Sequence, residues 1–324
     1  MLKHMNIVNL NHAMNRRDFL IKQLKGAIYL TAGAAGLYLP RSVIAGGPAI
    51  SQVKVPHIGV AKGDPGPATR AAVGLLGGMK SFVKPGDKVA IKPNLSFPHS
   101  PESATNTHPL VTRELVAMCK EAGASRIRVL DNPTQRAERC IKTTKDALGI
   151  FNQDIVHALV NQNFYKPVSI PEGKYFKETD VMQDVLKADV LIAAPVAKSH
   201  TMTGVSLSMK GMMGLIYNRQ TMHADYDLDP AIIDLCSLLK PDLVVVDLIR
   251  VLSTNGPWGP GKVIRMDTVI ASNDMVAADA KTVHMCEWYG QRFEPRQVDH
   301  IRMAHERGLG RMDVENLHVK HIEA

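Results

Sequence analysis

Two uninterrupted apolar runs constrain the fold more than any other feature: Val190-Leu191-Ile192-Ala193-Ala194 and Leu243-Val244-Val245-Val246. A strand with one wet face alternates apolar and polar residues. A run without alternation, four or five residues long and bounded by Pro or Asp, suits a strand covered on both faces. Further strands are predicted at 57–62, 88–92, 126–131 and 268–272, with the two runs placed in strands at 190–195 and 243–247.

Helical patterns lie between them. Residues 109–122 open on a proline suited to a first turn and stop before Gly123. Residues 229–239 stop before Pro241, and residues 274–288 begin on an aspartate that suits the positive end of a helix dipole. Residues 150–180 are less regular and are expected to form a small insertion or a sheet edge. Helices alternating with buried strands predict an α/β protein, with a mostly parallel, doubly wound (Rossmann-like) sheet and helices on both faces.

In such sheets ligands gather beyond the carboxyl ends of the strands. The polar residues of this chain fall there repeatedly. Lys92 and Asn94 follow one strand, Asp131 and Asn132 the next, Lys198 and His200 another, then Asp247, then Asp274. Lys92 and Lys198 are point charges suited to a carboxylate, a phosphate or an oxyanion. Asn94 both donates and accepts hydrogen bonds. His200 suits a general acid or base, or a metal ligand. Against each stands the plain alternative of a solvated loop side chain.

The segment "TGVSLSMKGMMGLIY" sets Lys210 among methionines and glycines, where backbone can approach a ligand closely. The methionines read as core filler. His223, followed by Asp225 and Asp227, is a candidate to complete a metal site with His200, though no ligand spacing supports it. His99 and His108 lie in a Pro-rich loop and are expected to be exposed. The stretch "GPWGPGK" imitates the start of a phosphate-binding loop, but Val263 replaces the magnesium-binding hydroxyl and the prolines remove two N–H donors. ATP hydrolysis is therefore not expected there; the loop remains a candidate to line a pocket.

The N-terminus bears on location. Asn15-Arg16-Arg17-Asp18-Phe19-Leu20-Ile21-Lys22 has the form of a twin-arginine export signal, followed by an uncharged stretch at 26–39 and a cleavage site after Ala45. The expected organisation is a signal peptide at 1–45 and a single α/β domain at 46–324, periplasmic after export, or membrane-tethered where the signal stays uncleaved. The twin-arginine translocase is then a transient partner. Six of the basic side chains and one acidic one lie in residues 1–45, so most of the net charge of +8 belongs to the signal. No nucleic-acid footprint is needed to explain it. Cys119, Cys140, Cys236 and Cys286 fit no zinc or iron–sulfur spacing and are read as buried thiols, with one disulfide left open.

The ordered segments "VAIKPNLS", "TNTHPLV", "ADVLIAAPVAKSH", "SMKGMMGLI", "PDLVVVD", "GPWGPG" and "SNDMVAADA" resemble the family known as domain of unknown function 362, over about residues 55–310. The resemblance implies an α/β domain with motif positions at Lys92, Asn94, Lys198, His200, Lys210, Asp247, Asp274 and Asp279. It also implies a loose association with redox chemistry, since some members carry ferredoxin modules. This chain lacks the cysteine-rich module and has Gly211 where Asn is expected after Lys210. The leading expectation is an exported enzyme acting on a small anionic ligand or cofactor, with Lys92, Lys198 and His200 as catalytic candidates and Asn94, Lys210, Asp247 and Asp274 as ligand-binding ones. A metal on His200 and His223 is the cofactor considered. The alternative is a non-catalytic periplasmic accessory or assembly protein for a redox complex.

Overall fold

The computed structural model describes residues 57–148 and 155–324. The export signal and its cleavage site lie outside the described residues. The main sheet uses β1 (Ile58–Lys62), β2 (Lys88–Pro93), β3 (Arg126–Asp131), β4 (Val156–Ala158), β7 (Val190–Ala194), β8 (Val196–His200), β9 (Gly204–Ser206), β10 (Leu243–Leu252), β11 (Val263–Ser272) and β14 (Val319–Glu323). A separate hairpin pairs β5 (Tyr165–Ser169) with β6 (Glu178–Met182), and a small one pairs β12 (Glu287–Trp288) with β13 (Gln291–Arg292). The irregular segment near 150–180 thus supplies edge strand β4 and the β5–β6 hairpin.

Across the sheet the order is β14-β1-β11-β10-β7-β2-β3-β4. The strands β10, β7, β2, β3 and β4 are mutually parallel. β11 runs antiparallel between β10 and β1, and β14 closes the far edge parallel to β1. From β2 the chain moves outward through β3 to β4, then returns to the other side of β2 at β7 and continues to β10. That reversal is a topological switch point, and it lies between β2 and β7.

The apolar runs behave as strands with two covered faces should. Val190, Ile192, Ala194, Leu243 and Val245 enter one core, and Leu191, Ala193, Val244 and Val246 enter the other. Helices α1 (Pro65–Leu75) and α2 (Pro109–Glu121) cover the first face through Ala68, Ala72, Val111 and Leu115. The opposite face takes α7 (Leu228–Leu238), α8 (Met275–Met285) and α9 (Asp299–Glu306) through Ile232, Leu235, Val276, Ala280, Val283 and Ile301. The remaining helices are α3 (Ala137–Leu148), α4 (Gln183–Leu186), α5 (Ser208–Gly211) and α6 (Arg219–Asp225).

Helix α2 begins at Pro109, where the missing N–H costs nothing, and His108 Nδ1 accepts from Leu110 N at 3.1 Å. It gives way at Gly123, whose φ of +90° is the left-handed conformation that glycine adopts without strain. Helix α8 is shorter than predicted. It stops at Met285, and Trp288 instead sits fully buried in β12, its Nε1–H donating to Val283 O at 3.2 Å. Among the described residues no helix is long and apolar enough to cross a membrane. All four cysteines are buried thiols outside any disulfide, so the disulfide left open by the sequence does not form in this structure.

A buried cationic cluster at the switch point

The carboxyl ends of β2 and β3 carry an ion pair with almost no solvent contact. Lys92 Nζ lies 3.3 Å from Asp131 Oδ1, the side chains being 3% and 0% exposed. Lys92 also donates to Pro93 O at 2.6 Å. Asp131 accepts from Leu95 N (2.8 Å), from Ser96 Oγ (3.3 Å) and from Asn132 N (3.0 Å), so both its oxygens are occupied. Asn94 bridges the switch point itself. Its Oδ1 accepts from Val196 N at 2.9 Å, while its N–H donates to Thr107 Oγ1 and that hydroxyl donates to Ala194 O.

Lys198 and His200, expected just past the end of the strand at 190–195, lie there on a further strand, β8, paired with β10 on one side and β9 on the other. Pro195 interrupts the run, and the chain resumes as a strand whose polar residues all point into protein. Lys198 Nζ donates to Thr105 O at 2.7 Å and lies 5.1 Å from the centre of the Phe97 ring. The glycine–proline loop between β10 and β11 backs β8, with Gly256 N donating to Ser199 Oγ at 2.9 Å. A side chain on Gly256 would strike the Ser199 carbonyl, so this loop is a brace for the site, not a phosphate cradle.

Lys210 sits in α5, on the far wall. The Asp279 carboxylate accepts from Ser208 N and Met209 N, both at 2.9 Å, and so fixes the turn that carries it. Lys210 Nζ approaches His223 Nε2 at 3.5 Å and Met213 Sδ at 3.9 Å. Arg219, on α6, donates to Asn132 O and to Pro133 O, which draws α6 over the end of β3. Four cations, Lys92, Lys198, Lys210 and Arg219, therefore share one region, and the carboxylate in direct contact is Asp131. Asp229, paired with the buried His300 at 2.8 Å, acts on Lys210 from further away.

Burial and mutual repulsion show in the titration of these groups. Burial pushes Lys198 down to about 7, with Lys92 and Lys210 lowering it further. Burial, then Arg219 and Lys92, take Lys210 down to about 7. Lys92 is lowered by burial against the pull of Asp131. His200 is driven to about 2, first by burial and then by Lys210 and His223, so it is neutral. Its Nδ1 accepts from Met202 N at 3.2 Å, which leaves its proton on Nε2. His223 has the opposite tautomer. Its Nδ1–H donates to Arg219 O at 2.8 Å, and its Nε2 lone pair faces Lys210.

Other sequence candidates have structural partners. Asp247 accepts from His108 N (2.6 Å) and Ile249 N (2.9 Å), tying β10 to the start of α2; burial pushes its carboxyl up to about 6 against those two donors. Asp274 caps α8 through Val276 N and Ala277 N and accepts from Arg311 N. Neither carboxylate lies in the cationic cluster. His99 and His108, expected to be exposed, are half-buried, the first stacked on Phe97. The rings of His200 and His223 are 6.4 Å apart, but Asp225 and Asp227 are exposed. Among the described residues no group of three or more His, Cys, Asp or Glu could hold a metal ion, so the proposed His200/His223 metal site lacks a donor set.

The 3₁₀ turn at Met212–Leu215 packs directly on the ion pair. Gly214 O accepts from Asn132 N, and a Cβ at Gly214 would lie 2.5 Å from Lys92 Cε and closer still to Asp131. Gly214→Ala is therefore expected to lose about 1–3 kcal/mol in denaturant unfolding, the usual penalty of overpacking. Unchanged stability would mean that this contact is looser than drawn.

The fold and the cluster define an α/β protein with a largely buried cationic cluster at the switch point of its parallel strands. The chain belongs to the family described as domain of unknown function DUF362, whose profile matches residues 89–284, more than half of its length. It is 27% identical over 217 residues to a thylakoid-associated protein of Synechocystis sp. strain PCC 6803, a match covering 63% of this chain and 64% of that protein. The chain therefore spans a little under two thirds of that relative's length. In structure it is similar to the lactate racemase apoprotein from Thermoanaerobacterium thermosaccharolyticum, with a TM-score of 0.42 and 13% identity over 69% of this chain and 55% of that one. At that level the similarity carries nothing about the site.

Proposed function

We propose that the chain is exported by the twin-arginine route and acts on a small organic or inorganic anion held at the switch point by Lys92, Lys198, Lys210 and Arg219. One observation carries the reading: among the described residues, three buried lysines and the half-buried Arg219 meet one contacting carboxylate. A buried charge without a partner is expensive, and an arrangement that keeps several is explained by a ligand that supplies the missing negative charge. His200 is neutral and holds a proton on Nε2, which suits it to donate to an oxyanion.

Thermal melting with inorganic phosphate and with oxalate tests this. An anion that binds the folded chain raises its melting temperature in proportion to its occupancy. The rise is expected to be larger near pH 6 than near pH 9, because Lys198 and Lys210 become charged as pH falls through about 7. No shift at either pH with either anion, or a shift kept intact in Lys198→Met, would remove the reading. Export is tested by Arg16→Lys with Arg17→Lys: the precursor is expected to accumulate in the cytoplasm, and unaltered export would sink that part of the proposal.

A second reading keeps the fold and drops catalysis. In it the chain is an accessory of a redox complex, and the relative described as thylakoid-associated supports the membrane association alone. It expects co-purification of a redox partner, and no turnover that depends on His200.

A further inference from the structure

The three lysines differ in what their ammonium groups touch. Lys92 gives one hydrogen to a backbone carbonyl and faces a carboxylate. Lys198 gives one to the Thr105 carbonyl and lies near the ring of Phe97. Among the described residues Lys210 has no oxygen acceptor. Its neighbours are a thioether at 3.9 Å and the lone pair of His223 Nε2 at 3.5 Å. That lone pair is fixed in place, because Nδ1–H of the same ring is held by the Arg219 carbonyl. Lys92, Lys198 and Arg219 would anchor an anion; Lys210 is arranged to give up a proton.

We propose that Lys210 is a nucleophile that condenses with the ketone of a small 2-oxo acid, whose carboxylate is held by Lys92, Lys198 and Arg219. The inference rests on the anion reading above and narrows its ligand. A 2-oxo acid is the shortest molecule that places a carbonyl carbon next to a carboxylate, as a cationic cluster with one lysine facing a proton acceptor requires. The depressed basicity of Lys210 is in keeping with this, since a neutral amine is the reactive form.

The step balances as follows. The Lys210 ammonium passes one proton to His223 Nε2. The freed nitrogen lone pair attacks the ketone carbon, and the carbon–oxygen π pair moves onto oxygen. The proton on His223 and one from the new carbinolamine nitrogen go to that oxygen, which leaves as water. The product is a protonated imine between Lys210 and the acid, and no electrons are gained or lost overall. His200, whose ring centre lies 6.4 Å from that of His223, is the neutral N–H donor closest in kind to what the transient oxyanion needs.

The test is reductive trapping on the full chain. The protein is incubated with pyruvate near pH 7, treated with sodium borohydride, digested and mapped by mass spectrometry. The expected result is a single 1-carboxyethyl addition on the peptide carrying Lys210. It requires both reagents, does not form with oxalate, and is lost in Lys210→Arg while oxalate still raises that variant's melting temperature. Pyruvate that raises the melting temperature but leaves no addition, or additions spread over exposed lysines, would overturn the inference and leave the anion reading standing. If neither oxalate nor pyruvate shifts the melting temperature, both fall together. Mapping in the parent chain decides the matter even if the arginine variant does not fold.

Discussion

Lys210→Met will unfold at a higher temperature than the parent chain near pH 6. Proton linkage sets the sign. The folded chain holds Lys210 at about 7, against an ordinary value of 10.5. Between those values the unfolded state binds more protons than the folded one, so stability rises with pH across that window. Below it both states are charged, and the full cost of burying the charge is present. Each pKa unit corresponds to about 1.4 kcal/mol, which places that cost on the order of 5 kcal/mol before relaxation. Replacing a whole buried ion pair with apolar side chains is often neutral or stabilises by about 1–4 kcal/mol, and removing Lys210 leaves no contacting carboxylate behind among the described residues. The gain should shrink as pH rises from 7 toward 10, because the parent lysine then sheds its proton unaided. Differential scanning calorimetry at several pH values checks both sign and window. A variant that is less stable near pH 6 would mean that Lys210 has a partner the account does not recognise.

Asp131→Asn will have the opposite effect and should be the most damaging single change in the cluster. Asp131 is fully buried, contacts Lys92, and accepts from Leu95 N, Ser96 Oγ and Asn132 N. Asparagine keeps the shape, but it turns one oxygen acceptor into a donor facing N–H or ammonium groups. Breaking one side of a buried pair typically costs about 3–5 kcal/mol, because the remaining charge stays uncompensated. The loss should be partly recovered by oxalate, and more so than in the parent chain, since an added anion replaces some of the missing charge. Denaturant unfolding with and without oxalate measures this. A loss below about 1 kcal/mol would contradict the view that Asp131 holds the cluster together.

Much of the frame was legible because it rests on local, repeated signals. Val190 to Ala194 and Leu243 to Val246 announce strands covered on both sides, and the structure places them between two cores. Pro109, Gly123 and Asp274 mark helix ends, and each lies at one. The rule that polar residues gather beyond strand ends also picked out Lys92, Asn94 and Asp131. What escaped depends on contacts between distant segments. Lys198 and His200 lie on a strand whose side chains are polar and buried, a combination with no alternation to read. Arg219 sits in a polar stretch that looks solvent-exposed; only the folding of α6 over Asn132 and Pro133 half-buries it. Asp247 and Asp274 meet the same strand-end criterion as Asp131, yet backbone N–H groups claim their oxygens. A carboxylate that caps and one that faces a ligand look alike in sequence, because the difference lies in which amides fold toward it.

The choice of Lys210 over its neighbours likewise came from three dimensions. Its separation from His223 by thirteen residues gives no hint of a shared proton, and the tautomer that directs the lone pair depends on the Arg219 carbonyl. Asp279, which resemblance alone suggested, turns out to secure the first turn of α5 and thereby the position of Lys210.

The most direct test of the central claim is a calorimetric titration of the full chain with oxalate near pH 7, run in two buffers of different ionisation enthalpy. An anion that enters a cluster of half-protonated lysines must draw protons in with it. Saturable binding with net proton uptake is expected, lost on going to about pH 9. Binding with no proton uptake, or none at either pH, would show that the buried lysines are not an anion site.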